Sequence, residues 1–254
     1  MSGAFETHRL GHPRVHRRCT ESTNELAREL AARGAPHGTL VTADAQRAGR
    51  GRHGRTWWAP ARSSLLMSLV LREAPPLLPL AAPLAVCDAV SETVGVEALV
   101  KWPNDVVLAE PSPSLSGVLQ LRKLAGILVE GRPQEGCVIL GIGVNVSISI
   151  DAIPPELQGT LATLAQPRSA IERLLASALR ALERRLAESD ELTLEGWRER
   201  DALRGHEVTW STTAAGAERA GGRAEGIDGE GRLIVALDDG SRLALEAGEV
   251  HLAR

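Results

Sequence analysis

The sequence predicts an α+β fold in which helices and strands interleave up to about residue 204, followed by a small all-β module. Between residues 22 and 204, stretches with helical spacing are interspersed with short apolar runs of strand character. Beyond Gly205 the texture changes to short strands parted by Gly- and Asp-rich turns. Hydrophobic residues make up 43% of the 254 positions, enough for a real core in one large domain plus a small one.

Taken in order, "MSGAFETHRLGHPRVHRR" has no apolar stretch, so no signal peptide is expected. His8, His12, His16 and Cys19 have spacings that mimic metal ligands, but Pro13 breaks any helix that would align them. Residues 1–20 are therefore read as a frayed tail with no metal site. "ESTNELARELAARG" reads as a helix, with Ser22 and Glu25 matching a capping box, Leu26 and Leu30 on one face, and Gly34 at the stop. "GTLVTADAQ" is a strand, "GRGRHGRTW" (49–57) a loop, and "SLLMSLVLR" a buried strand. A Pro-punctuated helical region covers about 77–95. "LVKWPNDVVL" is strand, tight turn, strand.

The Pro/Ser-rich "AEPSPSLSGVLQ" is a surface loop, and "KLAGILVEG" and "CVILGIGVNV" are two further strands. Ile171, Leu174, Leu175, Ala178, Leu179, Leu182 and Leu186 form one stripe of an amphipathic helix. A shorter helix ends near Gly205. The C-terminal stretch reads as a barrel-like module, with "DDG" as its hairpin signal.

The formal net charge of −3 argues against broad nucleic-acid or membrane binding, yet leaves room for one local basic site. Cys19, Cys87 and Cys137 are widely spaced and imply reduced thiols in a cytoplasm. No run approaches the ~18 apolar residues a membrane span needs. Only Lys101 and Lys123 are lysine among 29 basic residues, so each is a candidate for chemistry that arginine cannot do. The loop 49–57 alternates arginines with glycines. Arginine grips carboxylate or phosphate through a planar fork, and glycine lets backbone N–H groups approach an anion. Such a loop needs an anion to settle its mutual repulsion. It is not the Gly-Lys-Ser/Thr phosphate loop. Asp105 suits Mg²⁺ or a ribose hydroxyl as well as it suits a turn. Lys123, opening an apolar strand, is expected to meet a partner on a buried surface, while Asn145 ends a strand where a turn former also fits.

Together "ESTNELA", "QRAGRGRHGRTW", "KWPNDVVL", "KLAGILVE" and "GIGVNV", in that order, closely resemble the biotin–protein ligases, and the tail "GIDGEGRLIVALDDGSRLALEAGEVHL" is similar to that family's C-terminal domain. The resemblance implies a largely antiparallel mixed sheet of class II synthetase type over residues 21–204, then an SH3-like barrel over 205–254. It implies a biotin–[acetyl-CoA-carboxylase] ligase that forms biotinyl-5′-AMP from biotin and ATP with Mg²⁺, then biotinylates a biotin carboxyl carrier protein. By the same resemblance Ser22, Thr23, Asn24, Gln46, Arg50, Gly51, Arg52 and Lys123 serve biotin. Arg55, Trp57, Lys101, Asn104 and Asn145 lie near the nucleotide. Lys123, Arg52 and Asp105 carry the chemistry, with Asp105 a helper in deprotonating the acceptor amine.

His53 stands where the family often has arginine, and the 109–121 insertion is longer than usual. About 20 residues precede "ESTN", too few for the winged-helix domain of bifunctional members. The expectation is a monofunctional enzyme without specific DNA or membrane binding, for which a homodimer stays open. A lipoate-ligase-like enzyme and an inactive biotin-binding homologue are the rival readings.

Overall fold

The computed structural model describes residues 10–111, 119–211, 220–246 and 248–253; His8 and the centre of the 109–121 insertion lie outside them. The larger sheet has seven strands, β1 (Arg14–Arg17), β2 (Leu40–Ala43), β3 (Ser64–Leu71), β4 (Leu99–Lys101), β5 (Asp105–Pro111), β6 (Leu119–Arg132) and β7 (Cys137–Asn145). Their spatial order is β1-β2-β3-β7-β6-β5-β4. Only the β1–β2 pair is parallel.

That pair corrects the frayed-tail expectation for residues 14–17. Arg14 to Arg17 run in register with Leu40 to Ala43, and Arg14 grips Glu172 through two hydrogen bonds of 2.8 and 2.7 Å. Backbone pairing needs no apolar side chain, so the strand Arg-Val-His-Arg, with Val15 as its one apolar residue, gave no pattern signal.

Four helices cover the sheet: α1 (Thr23–Ala32), α2 (Leu78–Val94), α3 (Ala170–Leu186) and α4 (Asp190–Arg200). The shorter helix thus ends at Arg200, before the expected Gly205. Strand alternation sorts the faces. Leu65, Met67, Leu69 and Leu71 of β3 enter the main core with α2 and α3, while Val70 turns the other way, onto Ala27 and Ala31 of α1. Each fully buried leucine contributes ~1.5–3 kcal/mol of transfer free energy, so β3, buried at all eight positions, anchors the domain. On α3, Leu174, Leu175, Ala178 and Leu182 of the expected stripe are buried.

The capping box at α1 does not form. Ser22 has N-cap backbone angles but makes no side-chain cap bond, and Glu25 pairs with Arg28 and Arg50 instead. The first-turn N–H of Thr23 is satisfied from outside the helix by Gln46 Oε1 at 2.7 Å.

The C-terminal module is a five-stranded antiparallel sheet of β8 (Glu207–Ser211), β9 (Ala220–Ile227), β10 (Leu233–Ala236), β11 (Arg242–Leu245) and β12 (Glu249–Leu252). Its order is β11-β10-β9-β8-β12, an antiparallel sheet in keeping with the SH3-like module expected; among the described residues the two edge strands do not pair. The "DDG" turn joins β10 to β11, with Gly240 at φ 82°. Trp102 Nε1 donates to Gly231 O at 3.0 Å and ties this sheet to the β4–β5 turn.

Candidate active site

Register builds the site. Leu66, Gly143, Gly126, Asp105 and Lys101 form one cross-strand row over β3, β7, β6, β5 and β4. All five line a cavity of about 430 Å³, within the size range of small-molecule sites. Both glycines of the row are obligatory. A Cβ on Gly143 would lie 2.6 Å from the Trp57 indole, and one on Gly126 2.9 Å from it. A glycine-floored slot results, with Trp57 lying over it.

All fourteen site residues named from the sequence line this cavity. Ser22, Thr23, Asn24 and Gln46 make an uncharged polar end, where Thr23 Oγ1 lies 3.0 Å from Gln46 Oε1. At the other end Lys123 Nζ lies 2.7 Å from Asp105 Oδ1 and 5.7 Å from the Trp57 ring centroid. The lysine–aspartate contact is an ion pair by distance, without hydrogen-bond alignment at Oδ1. The backbone of Lys123 is pinned by Thr160 O at 2.7 Å and Ala162 N at 2.8 Å. Asn145 Nδ2 donates to Ala162 O at 3.0 Å, and its buried Oδ1 has no hydrogen bond, an acceptor left over in the cavity wall. Burial, opposed by Asp105 and reinforced by Lys123, holds the Lys101 amine below the ordinary lysine range.

The Gly/Arg loop differs from its expectation. Rather than waiting for an anion, its arginines are parted among three protein acceptors. Arg50 reaches Glu25 at 3.6 Å, Arg52 donates to Asn104 Oδ1 at 3.2 Å, and Arg55 pairs with Glu249 of β12. Arg55 N donates to Arg52 O at 3.1 Å and closes a one-turn 3₁₀ helix over Arg52–Gly54, and Gly51 N donates to Arg55 O at 2.7 Å across its base. Gly49 is required, because a Cβ there would sit 2.6 Å from Trp57 O. Burial lowers the Arg52 guanidinium, with Asp105 and Glu249 opposing. Asn104 is itself held by Ile127, donating Nδ2 to its carbonyl at 2.9 Å.

Glu249 and His251 also line the cavity and were not singled out from the sequence. They lie nearly two hundred residues from the loop, and nothing in local spacing points to that contact. The slot glycines were missed as well. Their signal was present, since glycines two apart inside the strand "GIGVN" mark a close approach to one face.

The chain belongs to the biotin/lipoate A/B protein ligase family, whose model matches residues 17–147. The biotin protein ligase C-terminal domain model matches residues 212–252. A biotin–[acetyl-CoA-carboxylase] ligase of Mycobacterium tuberculosis is 35% identical over 248 residues, covering 92% of this chain and 86% of that protein. The bifunctional ligase/repressor BirA of Bacillus subtilis is 36% identical over 170 residues, and the aligned part spans only 49% of its length. The structure of an Aquifex aeolicus biotin protein ligase in complex with biotin and ATP superposes with a TM-score of 0.74 at 26% identity, covering 95% of this chain and 98% of that one.

Proposed function

We propose that this chain activates biotin with MgATP as biotinyl-5′-AMP and transfers the acyl group to a lysine of a biotin carboxyl carrier domain. The polarity of the slot carries this reading: an uncharged polar end, a glycine-floored middle under Trp57, and a cationic end at Lys101 and Lys123. Biotin offers a cyclic urea, an apolar ring and chain, and a carboxylate in the same order. Lys123 sits between that carboxylate and the α-phosphate. A carboxylate oxygen attacks phosphorus and pyrophosphate leaves. Both reactants are anions, so positioning and cationic screening by Lys123, Lys101, Arg52 and Arg55 supply the catalysis. The acceptor amine then attacks the acyl carbon, AMP leaves with the bonding pair, and Asp105 is the carboxylate placed to take the amine's proton.

Mg²⁺ would enter with the nucleotide, held by its phosphates with Asp105 as a protein oxygen. The catalytic unit is proposed to span 21–204 with β1 added to its sheet, and the C-terminal unit 205–254. Free Cys19, Cys87 and Cys137 support a cytoplasmic setting. No helix of the described residues is long and apolar enough to cross a membrane.

A family that also includes lipoate ligases keeps lipoate as the second reading, and the match at 212–252 favours biotin. With biotin, MgATP and a carrier domain, the chain should release pyrophosphate and add one biotin to the carrier. No pyrophosphate, or lipoate transferred as fast as biotin, would sink the proposal.

A further inference from the structure

Behind the uncharged end of the slot, two side chains that line no part of the cavity complete a hydrogen-bonded relay. Asn24 Nδ2 donates to Glu130 Oε2 at 2.9 Å, and Ser68 Oγ lies 2.6 Å from Asn24 Oδ1 and 2.8 Å from Thr23 Oγ1. The other Glu130 oxygen pairs with Arg132 at 3.2 Å. Ser68 is fully buried, and Asn24 is only 4% exposed. The register explains the fit: Ser68, Gly141 and Leu128 share the row next to the slot floor, and a Cβ on Gly141 would fall 2.0 Å from Asn24 Oδ1.

Proton counting gives the relay one direction. A carboxylate can only accept, so the Asn24 amide must present Nδ2 to Glu130 and Oδ1 to Ser68. The single Ser68 proton then goes to Oδ1, and the one Thr23 hydroxyl proton is left to serve either Ser68 Oγ at 2.8 Å or Gln46 Oε1 at 3.0 Å. Gln46 Oε1 is already committed to the Thr23 N–H at 2.7 Å. What remains at this end, beside the rotatable Ser22 hydroxyl, is N–H: the second proton of Asn24 Nδ2 and both protons of Gln46 Nε2.

We propose that Glu130, acting through Asn24, is a positioning residue that fixes this end of the slot as a hydrogen-bond donor and so selects a urea carbonyl oxygen. The inference rests on the biotin reading above. Its discriminating ligand is 2-iminobiotin, in which an imino N–H replaces that oxygen. Binding of both ligands is measured by titration calorimetry on the full chain. Wild type should prefer biotin. Glu130→Leu should lower the biotin to iminobiotin affinity ratio by about tenfold, because the Asn24 amide is then free to turn its oxygen to the ligand, whereas Ser68→Ala, which leaves Glu130 holding Nδ2, should keep the ratio near that of wild type. Glu130→Gln, whose amide oxygen still accepts from Asn24, should restore most of the ratio. A residue that merely supports the fold would weaken both ligands alike. An unchanged ratio in a Glu130→Leu variant that still binds biotin, or in Glu130→Ala if the leucine variant fails to fold, overturns this inference alone. A wild-type chain that binds neither ligand overturns the biotin reading itself.

Discussion

Lys123 and Lys101 share one cavity, yet the structure gives them different physics. Lys123 already has a counter-ion in Asp105, so the empty site stores its charge at small cost and can hand it to an incoming carboxylate. If the proposed activation of biotin holds, replacing Lys123 with Met removes a preorganised cation from the point where charge builds up. Pyrophosphate release should fall by ~10²–10³-fold, the usual loss when one such donor is deleted. A normal rate would refute the assignment. Lys101 is held below its ordinary range chiefly by burial. The folded chain therefore binds fewer protons than the unfolded chain between the lowered value and that of a free lysine. Stability rises with pH across that window, and at neutral pH the buried charge is a net cost. Lys101→Met should then raise the Tm of the free protein at pH 7 while weakening ATP binding, with the gain shrinking as pH climbs toward ~10.4. Thermal melts at several pH values check it, and a lower Tm at pH 7 would count against it.

Among the elements, β6 and β7 decide the shape of the site, because Gly126 and Gly143 face each other in register beneath Trp57. Gly143→Ala puts a methyl where the indole lies. The ring must move at an overpacking cost of ~1–3 kcal/mol, with altered tryptophan emission and weaker biotin binding. Unchanged emission and affinity would show that the ring does not rest on this floor. Most of these elements were legible because apolar alternation and helical spacing are local properties: β3, β7, α3 and the strand-turn-strand at Lys101–Asp105 all fall where the pattern put them. What escaped had no local signal. β1 is held by backbone pairing and by Arg14–Glu172, and the Ser22–Glu25 box dissolved because Gln46 and Arg50 offered partners from afar. The fourteen residues picked out from the motifs line one cavity, while the Glu249 contact needed the fold itself.

On the scale of the whole molecule, the two sheets meet over the loop, where Arg55 pairs with Glu249 and Arg52 bonds Asn104. Burial makes the Arg52 charge costly in the empty site, so that charge is best compensated once an anion arrives. If the chain forms biotinyl-5′-AMP, Arg52→Gly removes one cationic fork and adds backbone freedom to a loop already holding Gly51 and Gly54. Losing ~1.4 kcal/mol of retention corresponds to ~10-fold faster escape of the adenylate. Escaped adenylate acylates whatever amines it meets. This chain offers few: its N-terminal amine, Lys123, which Asp105 engages at 2.7 Å, and Lys101. The lowered Lys101 value leaves more of its amine in the nucleophilic free-base form than an ordinary lysine has. An arginine-rich surface thus spares the enzyme its own leaked product. After incubation of the Arg52→Gly variant with biotin, MgATP and serum albumin, mass spectrometry should find the albumin labelled on many lysines. The chain's own label should be slight and confined to the N-terminus and Lys101. Unlabelled albumin would mean that Arg52 does not retain the adenylate, and heavy label on Lys123 would mean that its ion pair with Asp105 does not protect it.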